Sequence, residues 1–212
     1  MKTSRWREEY TFLVVVLGLA GLAGLGGWFV AAAKTSHALP PDGPRELTSF
    51  ILTDRTGRTV TRTDLNGKFL VVNFVFTSCS VTCLDVNRRM EEIQTLTATK
   101  PDVKLVSLTV DPRSDTPAVL AEFGNRFGAD TNRWLLLTGD KAVLYELIEK
   151  SFLPRNPSDP YNFMPGGFNH TERIAVVDSH GHLRAFFDGL KSETPQAVVD
   201  EINRLRRATD SL

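Results

Sequence analysis

Residues 69–76 (FLVVNFVF) hold seven apolar side chains and one Asn in eight positions. An apolar run of that length, rich in Val and Phe, fits a central strand covered on both faces. Cys79 and Cys83, the only cysteines of the 212-residue chain, follow directly. Val86, Met90, Ile93 and Leu96 then recur three or four apart, which predicts a helix from about Cys83 to Leu96.

The flanking sequence repeats the alternation of strand and helix. Residues 50–53 and 59–61 form a hairpin around the Gly-bearing turn 54–57, and Asn66-Gly67 marks a second turn. Residues 103–110 are a second buried strand. The turn 111–117 leads into a helix with Thr116 as N-cap and Pro117 at its first position, ending near Phe127-Gly128. A strand at 134–137 and a helix at 141–152 come next. The Pro/Gly/Asn-rich stretch 153–169 reads as a long loop, of the length that is usually functional or mobile. A hairpin of 171–178 and 183–187 and a helix over 194–207 close the chain. This order predicts an α/β sheet with helices on both faces, in one domain over 48–212.

The amino-terminal part is built for lipid. Residues 12–33 are an uncharged run of 22. At about 1.5 Å per residue it spans roughly 33 Å, enough for a bilayer core of about 30 Å. Lys2, Arg5 and Arg7 precede it, which places residues 1–11 in the cytoplasm and the domain outside. The run exceeds the apolar core of a cleaved signal peptide, so it reads as one uncleaved transmembrane anchor. Pro40, Pro41, Gly43 and Pro44 make residues 34–47 a stiff tether. The 25 basic and 25 acidic residues cancel, which argues against a nucleic-acid partner.

Strand, cysteine pair and helix in succession is the redox-active layout of thioredoxin-like domains, with one extra residue between the sulfurs. Backbone N–H groups at a helix start stabilise thiolates. The pair has three readings: a dithiol for disulfide exchange, a soft two-thiolate donor set suited to Cu(I), or a structural disulfide. A five-residue loop gives the last little stabilising effect. His37 in the tether and His180 and His182 at a hairpin tip read as solvated. His170 ends the long loop where a late strand begins; it reads either as a hydrogen-bonded side chain or as a third ligand. Asp111 and Asp115 read as turn-shaping and helix-capping residues, Met164 as a packing residue, and Arg204, Arg206 and Arg207 as a solvated helix end.

These segments, in order, resemble the SCO/SenC family of membrane-anchored copper proteins that act in cytochrome c oxidase assembly. Residues 76–83 (FTSCSVTC) are similar to its Cys-x3-Cys segment. Residues 108–117 (LTVDPRSDTP) are similar to its S-V-D-P-x-x-D-T-P segment. Asn169-His170, followed by an apolar strand and Asp178-x-x-Gly181, resembles its distal histidine and closing hairpin. Two positions depart from the family's Pro after each cysteine, Ser80 and Leu84, and Asn169 replaces its usual Asp; the ligand positions are kept. The resemblance implies a thioredoxin-like fold and a copper ion, Cu(I) or Cu(II), held by Cys79, Cys83 and His170. It implies delivery to the oxidase subunit carrying Cu(A), or to another copper or thiol client. The short amino terminus carries no Arg/Ser-rich transit extension, so the single-pass anchor reads as one for a bacterial inner membrane, with the domain facing the periplasm or outside, ahead of a mitochondrial inner membrane. The rival is an anchored thiol–disulfide oxidoreductase using Cys79 and Cys83.

Overall fold

The computed structural model describes residues 45–78, 82–153 and 172–209. They form β1 (Arg45–Glu46), β2 (Ile51–Asp54), β3 (Thr59–Thr61), a short 3-10 helix (Arg62–Leu65), β4 (Phe69–Val75), α1 (Thr82–Leu96) and β5 (Val103–Thr109). Then come α2 (Pro117–Arg126), β6 (Trp134–Thr138), α3 (Lys141–Phe152), β7 (Arg173–Val177), β8 (His182–Asp188) and α4 (Thr194–Thr209). The strands share one sheet in the order β1-β8-β7-β4-β5-β6-β2-β3. Strands β4, β5 and β6 run parallel, and β7 pairs antiparallel with β4. Among these residues no helix is long and apolar enough to cross a membrane; residues 12–33 lie outside them.

Every residue of β4 is buried, as its apolar run requires. Its pleat sends successive side chains to opposite faces. Phe69, Val71 and Val75 meet Val86, Met90 and Ile93 of α1, Leu120 and Phe123 of α2, and Val198 and Ile202 of α4. Leu70, Val72 and Phe74 meet Leu144, Leu147 and Phe152 of α3, with Leu47, Phe50 and Leu65 beside them. Helices therefore cover both faces.

Three details differ from the sequence reading. The sheet begins within the 34–47 stretch, since Arg45–Glu46 pair with β8 and Leu47 is buried. The apolar stripe of α1 stops at Ile93. Leu96 is exposed, because the next turn is anchored instead by buried Thr97, whose carbonyl accepts from Arg133 Nη2 at 2.8 Å. Arg206 is no solvated helix end: its guanidinium holds Asp102 through bonds of 2.6 and 2.7 Å and lies over the Phe69 ring, 5.7 Å from its centroid. It fastens α4 to the chain entering β5.

The Asn within β4 anchors a buried polar chain. Trp134 Nε1 donates to Ser107 Oγ (2.8 Å), and the Ser107 hydroxyl donates to Asn73 Oδ1 (2.6 Å). Asn73 Nδ2 donates to Asn87 Oδ1 (3.2 Å), and Asn87 Nδ2 donates to the Cys83 carbonyl (2.7 Å). All four side chains are buried. At the other edge, the Asp54 carboxylate organises the β2–β3 turn. It accepts from the Thr56 N–H (2.7 Å), the Thr56 hydroxyl (2.6 Å) and the Arg58 N–H (3.1 Å). Burial pushes this carboxyl up, but the Thr56 and Arg58 donors outweigh it and hold it below its ordinary value.

Two stability tests follow from these groups. Ser107→Ala strands the Trp134 indole N–H and Asn73 Oδ1, and is expected to lower unfolding free energy by about 1–3 kcal/mol in urea titration. A change under about 0.5 kcal/mol would show that the chain carries no weight. Because the native Asp54 carboxyl lies below its unfolded value, its contribution is present above the ordinary carboxylate range and fades as pH falls through the lowered value. Asp54→Asn is therefore expected to flatten the acid limb of stability against pH. Parallel acid limbs in the two proteins would refute the assignment.

Candidate metal centre

The parallel strands β4 and β5 end side by side, with Val75 paired to Thr109 and the Val110 N–H donating to the Val75 carbonyl at 2.9 Å. In open α/β sheets ligands gather at such carboxyl ends. The chain leaving β4 runs through Thr77 toward Cys79. Asp115 holds it there. This fully buried carboxylate accepts from the Thr77 hydroxyl, the Thr77 N–H and the Thr109 hydroxyl. One side chain thus ties the two outgoing loops together.

The turn and the Thr116 cap foreseen for residues 111–117 are present, but the Asp115 side chain takes no part in capping. Thr116 caps α2 by accepting from the Val119 N–H at 3.4 Å, with Pro117 at the helix start. The Asp115 backbone closes the turn onto the Asp111 carbonyl (2.9 Å) while its side chain faces inward. Asp111 is engaged locally: the Ser114 hydroxyl holds its carboxyl below the ordinary range. The two carboxylates thus have separate partners.

Cys83 lies in the first turn of α1 and is 1% exposed. Its carbonyl is the end of the polar chain through Asn87 and Asn73, so the turn carrying this thiol is fastened to β4. Leu84, where the resembling family has Pro, packs half-buried against the α1 face of the core. Cys79, Ser80, Met164, Asn169 and His170 lie outside the described residues.

The start of β7 is described, and its register is informative. Asn73 pairs with Ile174 and Leu70 with Val177. Continued by two residues, that register sets Glu172 level with Val75. The chain bearing His170 therefore joins the sheet at the end where the cysteine segment leaves it. The other late histidines sit at the opposite end. His180 and His182 flank the β7–β8 turn, where both their N–H groups donate to Asp178 Oδ1 at 3.0 and 2.9 Å. Among the described residues no group of three or more His, Cys, Asp and Glu side chains could hold a metal.

Thr77, Asp115, Asn73 and Asn87 were not singled out from sequence as site residues. For Asn73 a signal existed: a lone amide inside an apolar strand must find a buried partner. For Asp115 none did, since a turn Asp beside Thr-Pro looks the same whether it faces solvent or the interior.

Comparison with known proteins agrees with this frame. A family model described as SCO1/SenC matches residues 40–207. A SCO1 protein homolog of Bacillus subtilis is 30% identical over 192 residues, covering 89% of this chain and 95% of that one. The solved structure of BsSco, described as a member of the Sco family of cytochrome c oxidase assembly proteins with a disulfide switch, aligns with TM-score 0.62 at 20% identity. The alignment covers 80% of this chain and 96% of that one. ScoI of Bradyrhizobium japonicum, solved with copper bound, aligns with TM-score 0.59 at 23% identity, over 74% of this chain and 98% of that one. These likenesses establish a thioredoxin-like fold. With strand, cysteine helix and late strand in the family's order, and a match running almost the length of the described domain, the chain belongs to the SCO1/SenC family.

Proposed function

We propose that this protein binds copper through Cys79, Cys83 and His170 and hands it to the subunit of cytochrome c oxidase that carries Cu(A). The observation that carries the reading is the β4–β7 register, which brings the chains leading to Cys79 and to His170 to one end of the sheet. From Val75, Cys79 is four residues away; from Glu172, His170 is two. Extended backbone reaches at most about 3.3–3.6 Å per residue, so neither side chain can stray far from that end. Two thiolates and a neutral imidazole form a soft trigonal donor set for Cu(I), and a fourth ligand or water would admit Cu(II). The copper is cargo, so a loop-borne site at a sheet end suits release as well as capture. The copper-bound relative and the oxidase-assembly description of another are consistent with this role.

A second reading uses the same sulfurs. The Cys79 thiolate would attack a partner disulfide, forming a mixed disulfide and releasing one partner thiolate. Cys83 would then attack the Cys79 sulfur, closing a Cys79–Cys83 disulfide and freeing the second partner thiol. The burial of Cys83 favours this division, because a buried thiol suits the intramolecular second step. Under either reading, residues 12–33 anchor the chain in the inner membrane with the domain in the periplasm.

The deciding experiment is anaerobic titration of the reduced protein with Cu(I) against a competing chelator. One copper per chain is expected. Cys79→Ala, Cys83→Ala and His170→Ala should each weaken it by more than the roughly 10–100-fold that loss of an outer-shell partner costs. A wild-type protein that fails to hold Cu(I) yet reduces a test disulfide would leave the exchange reading. For the anchor, protease added to spheroplasts should digest the domain, and deletion of residues 2–33 should release it from the membrane fraction; a protected domain would reverse the orientation.

A further inference from the structure

Gly189 stands where three parts of the chain meet. It follows β8 directly, and its N–H donates to the Glu172 carbonyl at 2.6 Å. A Cβ built on it would lie 2.7 Å from that carbonyl oxygen and 3.0 and 3.1 Å from the two γ-methyls of Val86. Gly189 is not among the glycines with positive φ, so its backbone conformation suits any residue; what requires glycine is space. The contact has little room to yield. Val86 is fully buried in α1, and Glu172 is backbone. Asp188 is held from both sides, its carbonyl by the Thr194 hydroxyl and its carboxylate by the Leu190 N–H at 3.0 Å.

The position of this contact gives it meaning. Val86 is one helical turn beyond Cys83, and Glu172 is two residues from His170. Gly189 sits against both the helix that carries Cys83, at Val86, and the backbone that leads to His170, at the Glu172 carbonyl. We infer that Gly189 is a positioning residue: its missing side chain sets the separation between the dithiol helix and the start of β7, and so the fit of the third ligand. The inference rests on the Cys2His reading above. A methyl group here has to push Glu172 away from α1, whereas the Cys83 turn keeps its own fastening through Asn87 and Asn73.

The test is a mutant cycle on the full chain in detergent, reduced and anaerobic, read by Cu(I) competition and by the dithiol–disulfide equilibrium against glutathione. Gly189→Ala is expected to weaken Cu(I) by about 10–100-fold, the range for residues that orient ligands. The dithiol equilibrium should stay within about twofold of wild type. Combined with His170→Ala, it should add nothing beyond about twofold, because sites acting through one group are not additive. Wild-type affinity in Gly189→Ala, with His170→Ala weakened, overturns the inference and leaves the copper reading standing. Losses that multiply in the double variant overturn it too, since the glycine would then act on the fold at large. If His170→Ala has no effect, the Cys2His reading itself fails and takes the inference with it. Should Gly189→Ala not fold, the same cycle is run in Val86→Ala, which relieves the two methyl contacts and leaves the Glu172 carbonyl as the contact that the new Cβ displaces. Non-additivity with His170→Ala supports the inference there as well, and additivity refutes it.

Discussion

Burying Asn73 inside β4 obliges the surrounding core to satisfy an amide where no water is at hand. Each unpaired buried polar group costs about 1–3 kcal/mol, and a domain's whole stability is about 5–15 kcal/mol. The cost is avoided by a chain that draws on three other elements: Trp134 of β6, Ser107 of β5 and Asn87 of α1. Each can occupy its place only if the β4–β5–β6 register and the packing of α1 are already correct. The amide therefore makes the sheet's register and the seat of the cysteine helix conditions of one another. An apolar residue at 73 would pack as well and specify less.

The same end of the sheet is braced at three points drawn from distant parts of the sequence. The Asn87 side chain fixes the Cys83 turn, the Asp115 carboxylate fixes the approach to Cys79, and Gly189 fixes the start of β7 against α1. They differ in kind: an amide, a carboxylate and an absence of side chain. What they share is location on the rigid side of each loop rather than in it. Ligands borne on loops gain definition only from what holds the loop ends, and here each loop end has its own fastener. Ion pairs contribute little to this end. Several are exposed pairs within one helix, such as Arg88–Asp85 and Lys150–Glu146, which solvent screens.

How legible this was depends on the range of the cause. β4 and α1 could be read from sequence because their signals are local: a continuous apolar run for one, apolar residues three or four apart for the other. Thr116 and Pro117 announced α2 in the same way. The faults lay where a distant partner decides. Arg206 looked like any helix-end cation until Asp102 and Phe69 stood beside it. Arg45 looked like tether until β8 offered an edge to pair with. Asp115 looked like a turn residue because its partners Thr77 and Thr109 come from two other segments. Gly189 gave no signal at all, since a glycine required by space rather than by φ is silent until its neighbours are placed. The motif order Cys-x3-Cys, then a late histidine, was legible as a resemblance, and a thioredoxin-like sheet already implied that the late strand is entered beside the cysteine loop; the residue-by-residue β4–β7 register was not legible.

The two readings of the thiols make unequal demands on Cys83. An exchange reaction between proteins needs a sulfur that another protein's disulfide can approach in line, and a thiol that is 1% exposed offers no such approach. A single metal ion needs no such corridor; it requires only that donors converge. Exchange must therefore begin at Cys79 and use Cys83 internally, whereas copper binding uses both at once. The fastening of the Cys83 turn sharpens the contrast. A dithiol that cycles has to bring its sulfurs within about 2 Å of each other and then part them, which asks one side to move. With the Cys83 carbonyl tied to Asn87, and Asn87 to β4, the Cys83 turn is the fixed side. Ser80 stands in the sequence where the resembling family usually has proline, so the chain keeps a backbone N–H at that position. Under either reading of the pair, the Cys83 turn is the fastened partner: a fixed donor for a metal, or a fixed attacking sulfur in exchange.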